Sequence, residues 1–202
     1  SDPSKPEREP DRPAYPRPGR ANAELRFGFV STKGGATRWV NWDRERYPYV
    51  ATFAWSAAAP PTMFVMDRLQ RIGELLAVDP NTGKTTTLVR EEDPIWLNVD
   101  PSMPKWLKDG SQFLWTSERS GFDTLELRNA KGDVIRTLSG ADFGFRGFVH
   151  LDDEKRVVYF DASKEPSESR LFKTSLDAYT PEEVLTTKDA SMVRSTFGDA
   201  QN

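Results

Sequence analysis

Apolar and polar residues alternate along most of the chain in short runs that break at Gly, Asp or Asn, the period-two signature of half-buried β-strands. One pattern returns four times: an apolar strand, a turn holding Gly or Asp, then a strand rich in Thr, Val and Leu. It occupies residues 25–40, 75–89, 125–138 and 171–185, so its starts lie 50, 50 and 46 residues apart. Between these hairpins stands a second recurring pair of strands. Residues 49–55 lead to 62–66, and residues 104–107 lead through Lys108-Asp109-Gly110-Ser111 to 112–116. Residues 145–151 likewise lead through Asp152-Asp153-Glu154-Lys155 to 156–160. Asp109-Gly110 reads as a two-residue turn in which both residues take positive φ. No stretch carries the spacing of a long amphipathic helix.

Two hairpins in a period near 50 make four strands per repeat, the unit of a radially repeated blade. The expected fold is all-β, a partial β-propeller of four-stranded antiparallel blades. Residues 25–40 supply the last two strands of one blade. Three complete blades follow at about 49–89, 105–138 and 146–185, and residues 192–197 offer the first strand of another. A sandwich or meander of the same spacing is the competing architecture.

Ahead of the strands, Pro3, Pro6, Pro10, Pro13, Pro16 and Pro18 stand among charged residues. Each lacks an N–H and pushes its neighbour towards extended conformations, which rules out a helix or a central strand. The expected organisation is a proline-rich extended arm over residues 1–19 and propeller blades over 20–202. An incomplete set of blades leaves strand edges and apolar faces open. Either a second copy covers them, giving a homodimer, or the arm masks one edge.

Charge narrows the partners. Lys and Arg number 28 against 31 Asp and Glu, a net charge of −3 with the signs interleaved. That provides no basic face for nucleic acid or an anionic membrane, and no apolar run reaches the ~20 residues that span a bilayer. The chain has no cysteine and a single histidine, His150. Thiolate nucleophiles, disulfides, thiolate zinc sites and multi-histidine metal sites are therefore excluded. No Gly-x-Ser-x-Gly elbow occurs, so no catalytic residue, metal ligand or cofactor site is assigned. Ser117-Glu118-Arg119-Ser120-Gly121 reads as a turn whose side chains satisfy its own backbone. Glu91-Glu92-Asp93 and Asp152-Asp153-Glu154 read as solvated turn charges, since they lack the alternating spacing and the glycine of a calcium loop. Gly34-Gly35 and Asn81-Thr82-Gly83 are turns, with no helix behind them to cradle a phosphate. Trp39, Trp42, Trp55, Trp96, Trp106 and Trp115 are expected to fill the core between blades, and His150 to be satisfied on its apolar strand.

Several motifs occur in a fixed order. Tyr15-Pro16-Arg17-Pro18-Gly19 is followed by Asn22 and the strand at 25–30; then come Trp55, Met66-Asp67-Arg68-Leu69-Gln70, and Asp79-Pro80-Asn81-Thr82-Gly83. Trp96, Leu107-Lys108-Asp109-Gly110 and Phe113-Leu114-Trp115-Thr116-Ser117-Glu118-Arg119-Ser120-Gly121 complete the series. Over about residues 15–177 this order resembles the N-terminal propeller region of the dipeptidyl peptidase IV family of serine peptidases. The resemblance implies a parent in which an eight-bladed propeller caps a C-terminal α/β-hydrolase domain that removes Xaa-Pro or Xaa-Ala dipeptides from peptide N-termini. This chain would be a non-catalytic portion of that propeller, gating and orienting peptide substrates, in a periplasmic or secreted protein.

The resemblance has departures. The family's amine-holding glutamate pair has no counterpart in residues 1–14, and Glu91-Glu92 stands in the wrong context for it. After Gly121, Phe122-Asp123-Thr124-Leu125-Glu126 replaces the basic and histidine positions that are usual in the family. Val99-Asp100-Pro101-Ser102-Met103-Pro104 puts an acidic residue where some relatives carry an aromatic–arginine pair lining the distal substrate pocket. The alternative function is a freestanding propeller module for protein interaction, with no peptidase attached.

With no elbow serine and one histidine on an apolar strand, the chain by itself is expected to leave Xaa-Pro chromogenic substrates at the buffer rate. Turnover that copurifies with it and disappears in His150→Ala contradicts this.

Overall fold

The structure, a computed structural model, describes residues 23–140, 143–163 and 167–183 together with Ser4, Glu7, Gly19 and Glu165. The strand expected at 192–197, the end of the last blade at 184–185 and most of the arm at 1–19 lie outside them.

Period-two alternation becomes fourteen strands, and every regular element among the described residues is a strand. β1 (Gly28–Phe29) and β2 (Arg38–Trp39) form a two-stranded sheet, the half-blade. Blade 1 holds β3 (Tyr49–Ala54), β4 (Thr62–Met66), β5 (Ile72–Val78) and β6 (Thr85–Glu92) in sequential antiparallel order. Blade 2 repeats the order with β7 (Lys105–Trp106), β8 (Gln112–Ser117), β9 (Thr124–Asn129) and β10 (Val134–Thr137). Blade 3 contains β11 (Phe145–Asp152), β12 (Val157–Ala162), β13 (Arg170–Ser175) and β14 (Glu182–Glu183). This is the partial propeller expected, its sheets not closed into a ring. Blade 1 runs to Glu92, beyond the expected end at Val89, which brings two glutamates into the sheet.

The second strand of each blade shows why the sheets stack. β4 is buried at every position, because it lies mid-sheet with a neighbour over each face. Met63 and Val65 point one way, joining Leu76 and Val78 and meeting Val40, Trp42 and Tyr47 next to the half-blade. Phe64 and Met66 point the other way with Leu75, into a core shared with Phe113, Trp115, Leu125 and Leu127 of blade 2 and Val158 and Phe160 of blade 3. Phe64 and Trp115 touch across the blade 1–blade 2 seam, ring centroids 5.4 Å apart.

Two expectations need correcting. Only three tryptophans are interior: Trp115 at the seam, Trp42 donating Nε1 to the Tyr47 carbonyl (3.0 Å), and Trp106 half-buried against Phe113. Trp39, Trp55 and Trp96 are 49%, 63% and 52% exposed. Trp39 lies on the half-blade, beyond which there is no sheet among the described residues, Trp55 follows the end of β3 and meets Phe29 edge-on, and Trp96 lies in the loop after β6. The second correction concerns Asp109-Gly110, which is not a two-residue turn. Leu107 N–H donates to the Gln112 carbonyl and Gly110 N–H to the Leu107 carbonyl, each at 3.0 Å, closing a wider loop. Of the two, Gly110 alone has positive φ, at 70°. Asp109 instead accepts from Ser111 N–H (2.9 Å) and Ser111 Oγ (2.8 Å), a side-chain turn that spares it the left-handed region.

Gly110 also makes a close approach between blades: a Cβ there would stand 2.0 Å from the carbonyl oxygen of Ala58, in the β3–β4 loop. At Gly121 φ is 86° and a Cβ would meet nothing within 4 Å. Gly121→Val should thus cost backbone strain alone, about 1–3 kcal/mol, and Gly110→Val that strain plus an overpacking cost of about 1–3 kcal/mol more. Denaturant midpoints compare them directly. Equal losses would show that the blade 2 turn does not press on Ala58.

Candidate functional site

Antiparallel alternation puts the β4–β5 turn, the β6–β7 loop and the β8–β9 turn at one end of blades 1 and 2. The β6–β7 loop, residues 93–104, is tied to both turns. Asp93 N–H donates to the Arg71 carbonyl and Leu97 N–H to the Gln70 carbonyl (2.9 Å each), and Asn98 Nδ2 reaches both carboxylate oxygens of Glu118 (2.9 Å). Asp93 accepts from the N–H groups of Trp96 and Ile95, and these hold its carboxyl below the usual range. Asp100 accepts from Ser102 N–H (2.8 Å) and Oγ (2.6 Å).

Beneath this loop the seam turns polar. Val89 and Glu91, two apart on β6, share the face towards blade 2. On blade 2, Trp115 and Ser117 of β8 and Glu126 and Arg128 of β9 face back, because Trp115 pairs with Glu126 and Phe113 with Arg128. Glu91 is 6% exposed. Its Oε1 accepts from Trp115 Nε1 and its Oε2 from Ser117 Oγ, both at 2.9 Å. Arg119, from the β8–β9 turn, places Nη2 3.7 Å from Glu91 Oε1 and 2.7 Å from Glu126 Oε2. Arg128 grips the same Glu126 oxygen through Nε (2.9 Å) and Nη2 (2.6 Å), and its Nη1 donates to the Gly132 carbonyl.

Burial pushes the Glu91 carboxyl above its ordinary range, against the opposing pull of Trp115, Arg119 and Ser117. Burial likewise raises Glu126, although Arg119 opposes it. Asp123, at the rim, is raised by burial and by repulsion from Glu118 and Asp100. The cleft between loop and seam holds about 30 Å³ of free space, room for a water or two. Phe64, Leu97, Val99 and Met103 wall its apolar side.

This arrangement can position a charged or polar group, and it offers hydrogen-bond acceptors rather than a nucleophile. Ser117 Oγ is spent as a donor to a carboxylate. Among the described residues no group of three or more His, Cys, Asp or Glu side chains could hold a metal ion.

The expectation of solvated turn charges at Glu91-Glu92-Asp93 is therefore overturned for Glu91. Both glutamates lie on β6; Glu92 is exposed beside Arg90 at 3.3 Å, while Glu91 is interior. Ser117–Gly121 is more than a turn, since Ser117 belongs to β8 and Arg119 crosses to two carboxylates. A signal existed, because Glu91 keeps the parity of buried Val89. Its partners are on another sheet, and no local pattern reports that pairing. The other candidates are simpler: Gly34-Gly35 lies in the β1–β2 turn, and Asp79 caps Asn81 and Thr82 in the β5–β6 turn. Lys155 bridges back to Asp152 (2.9 Å) beyond β11, and His150 stands on β11 opposite Tyr159.

Comparison with known proteins adds a family and a fold. The sequence profile of the dipeptidyl peptidase IV (DPP IV) N-terminal region matches residues 1–201. The structure is similar to Porphyromonas gingivalis dipeptidyl peptidase 4, with a TM-score of 0.71 and 17% identity, over 84% of this chain and 24% of that one. It is also similar to a protein described as a dipeptidyl aminopeptidase IV from Bacteroides ovatus, with a TM-score of 0.69 and 19% identity, over 83% and 26%. The chain thus spans about a quarter of the length of either.

The seam predicts a pH signature. Because the Glu91 carboxyl is held above its unfolded value, its neutral form is the one the fold favours. The stability tied to it is complete below the ordinary glutamate range and is lost as pH rises through the raised folded value. Wild type should therefore gain on Glu91→Gln in unfolding free energy as pH is lowered from 7 towards about 4.5. Glu91→Leu, which strips Trp115 Nε1 of its acceptor, should lose about 1–3 kcal/mol at any pH in that window. A difference between wild type and Glu91→Gln that stays flat with pH would contradict the assignment.

Proposed function

The chain belongs to the dipeptidyl peptidase IV N-terminal region family, and on that premise we propose that it is a non-catalytic part of the propeller of a serine-type dipeptidyl peptidase. In this reading the chain gates and orients peptides, while an α/β-hydrolase domain elsewhere in the parent supplies the nucleophile and cleaves after an N-terminal Xaa-Pro. Its contribution to rate is positional: binding energy from parts of the peptide remote from the scissile bond holds that bond in place over the nucleophile.

The observation that supports this most is the cleft at the blade 1–blade 2 seam. Asn98, Val99, Asp100 and Met103 form part of its wall, and they lie in or beside the segment 99–104 whose counterpart in some relatives lines the distal substrate pocket. Here Asp100 stands in that segment, fixed by Ser102 and followed by a cis peptide between Met103 and Pro104. A carboxylate in place of a guanidinium inverts the charge offered to the distal part of a peptide, so the reading includes a selectivity that differs from those relatives.

The test uses the full-length parent and Asp100→Asn, which removes the charge and keeps an oxygen for Ser102. Weakening one contact by about 0.5–1.5 kcal/mol should change KM for Xaa-Pro peptides of three or more residues by roughly 2- to 10-fold, with kcat unchanged. A parent that leaves Xaa-Pro peptides intact, or a variant with wild-type KM on all of them, overturns the proposal.

A further inference from the structure

The two ends of blades 1 and 2 differ in what their connections expose. At one end the turns at 79–84, 108–111 and 130–133 present polar and charged residues with glycine, alanine and proline, and no large apolar side chain. Trp55, at that same end, leans on Phe29 of the half-blade. At the other end, where the cleft opens, every connection exposes a large apolar residue. Leu69 in the β4–β5 turn, Ile95 and Trp96 in the β6–β7 loop and Phe122 in the β8–β9 turn are 62%, 78%, 52% and 58% exposed. Three of these four are gathered by the backbone. Leu97 N–H donates to the Gln70 carbonyl and Asp93 N–H to the Arg71 carbonyl, each at 2.9 Å, so Leu69 and Trp96 stand one residue from the same hydrogen bond. An apolar patch of this kind on fixed loops marks a surface that another protein surface covers.

Both loops are built to hold the patch outward. Asp67 Oδ1 accepts from the N–H groups of Arg71 (2.7 Å) and Ile72 (2.9 Å), and Gln70 takes a φ of 54°, a left-handed conformation kept only where the surroundings fix it. Asp93 Oδ1 accepts in the same way from the N–H groups of Ile95 (2.7 Å) and Trp96 (2.8 Å). The carboxylates beside the patch are thereby occupied by backbone donors. Its exposed charges are Arg68 and Arg71, neither of which is in an ion pair among the described residues. An apolar centre that holds a tryptophan, edged by arginine, has the make-up of an interface core and its rim. Loops already fixed in shape meet a partner with little ordering cost.

The cleft decides what covers the patch, and this step rests on the proposed function. Two extended residues span about 7 Å, so a peptide held at the cleft is cut only if the domain supplying the nucleophile comes down on the same end. The chain covers 24% and 26% of the two similar structures, which leaves ample length for such a domain in a parent of that size. We infer that Leu69, Ile95 and Trp96 seat blade 1 on the parent's α/β-hydrolase domain, with Phe122 a lesser contact from blade 2. The facing surface is apolar, with carboxylates opposite Arg68 and Arg71. The loop that carries Trp96 into this interface also carries Asp100 to the cleft, so the seating sets where the cleft stands over the nucleophile.

The test uses the full-length parent, with cysteine alkylation read peptide by peptide. With nothing over this end, Ile95→Cys (78% exposed) labels faster than Ile135→Cys on β10 (44% exposed). Seated on the hydrolase domain, position 95 should instead label about tenfold or more slower than position 135. Benzoylphenylalanine in place of Ile95 should cross-link, within one parent molecule, to the domain that carries the Gly-x-Ser-x-Gly serine. Faster labelling at 95 than at 135, or a cross-link to another blade or to a second copy, overturns the inference. Xaa-Pro turnover by the same parent reads the proposed function separately. A parent that cross-links to its hydrolase domain and yet leaves Xaa-Pro peptides intact supports the seating and overturns only the substrate reading.

Discussion

A four-stranded sheet that is apolar on both faces persists in water only between two others, and that constraint organises this chain. β4 shows it within five residues: Met63 and Val65 belong to the core next to the half-blade, Phe64 and Met66 to the core shared with blades 2 and 3. No blade owns a core of its own. The interior exists only at seams, so everything that requires burial has to be built from two sheets.

The seams differ in how they are held. Apolar contact resists separation but tolerates sliding, because a leucine meets another leucine about as well one step along. A carboxylate that must accept from both Trp115 Nε1 and Ser117 Oγ tolerates no slide, and Glu91 thereby fixes the register of β6 against β8. Blade 1 carries a related device on its other face: Tyr47 Oη donates to Glu74 at 2.7 Å, and Arg90 reaches both. Buried ions are costly to desolvate and add little net stability where partners are ideal. Here Glu126 takes three contacts from two guanidinium groups, and the expense is spent on alignment.

How far the sequence could be read follows from the same distinction. Strands, blades and the half-blade were legible because each depends on period-two alternation and nearby turns. The ordered motifs carried the family for the same reason. What escaped depends on contacts between sheets. Glu91 reads as a surface charge until β8 is placed over it, and Trp39 and Trp55 read as core until the half-blade is seen with no further sheet on it among the described residues. Asp109-Gly110 failed more locally: a carboxylate that hydrogen-bonds two residues ahead replaces one turn with a wider one, and both are compatible with the same dipeptide.

The seam also separates what fixes the blades from what the loop above them presents. The loop over the cleft is anchored at Asp93 and Leu97 to the β4–β5 turn and at Asn98 to the β8–β9 turn, so its course is set by backbone contacts and capping carboxylates. Asp100 rests on top of that frame, bonded within its own turn and to neither blade. A residue so placed can exchange charge or length without disturbing Glu91 below. Register and presented charge are thereby separated by one layer of hydrogen bonds: the buried carboxylates fix where the blades lie, and the loop above them can vary in what it presents.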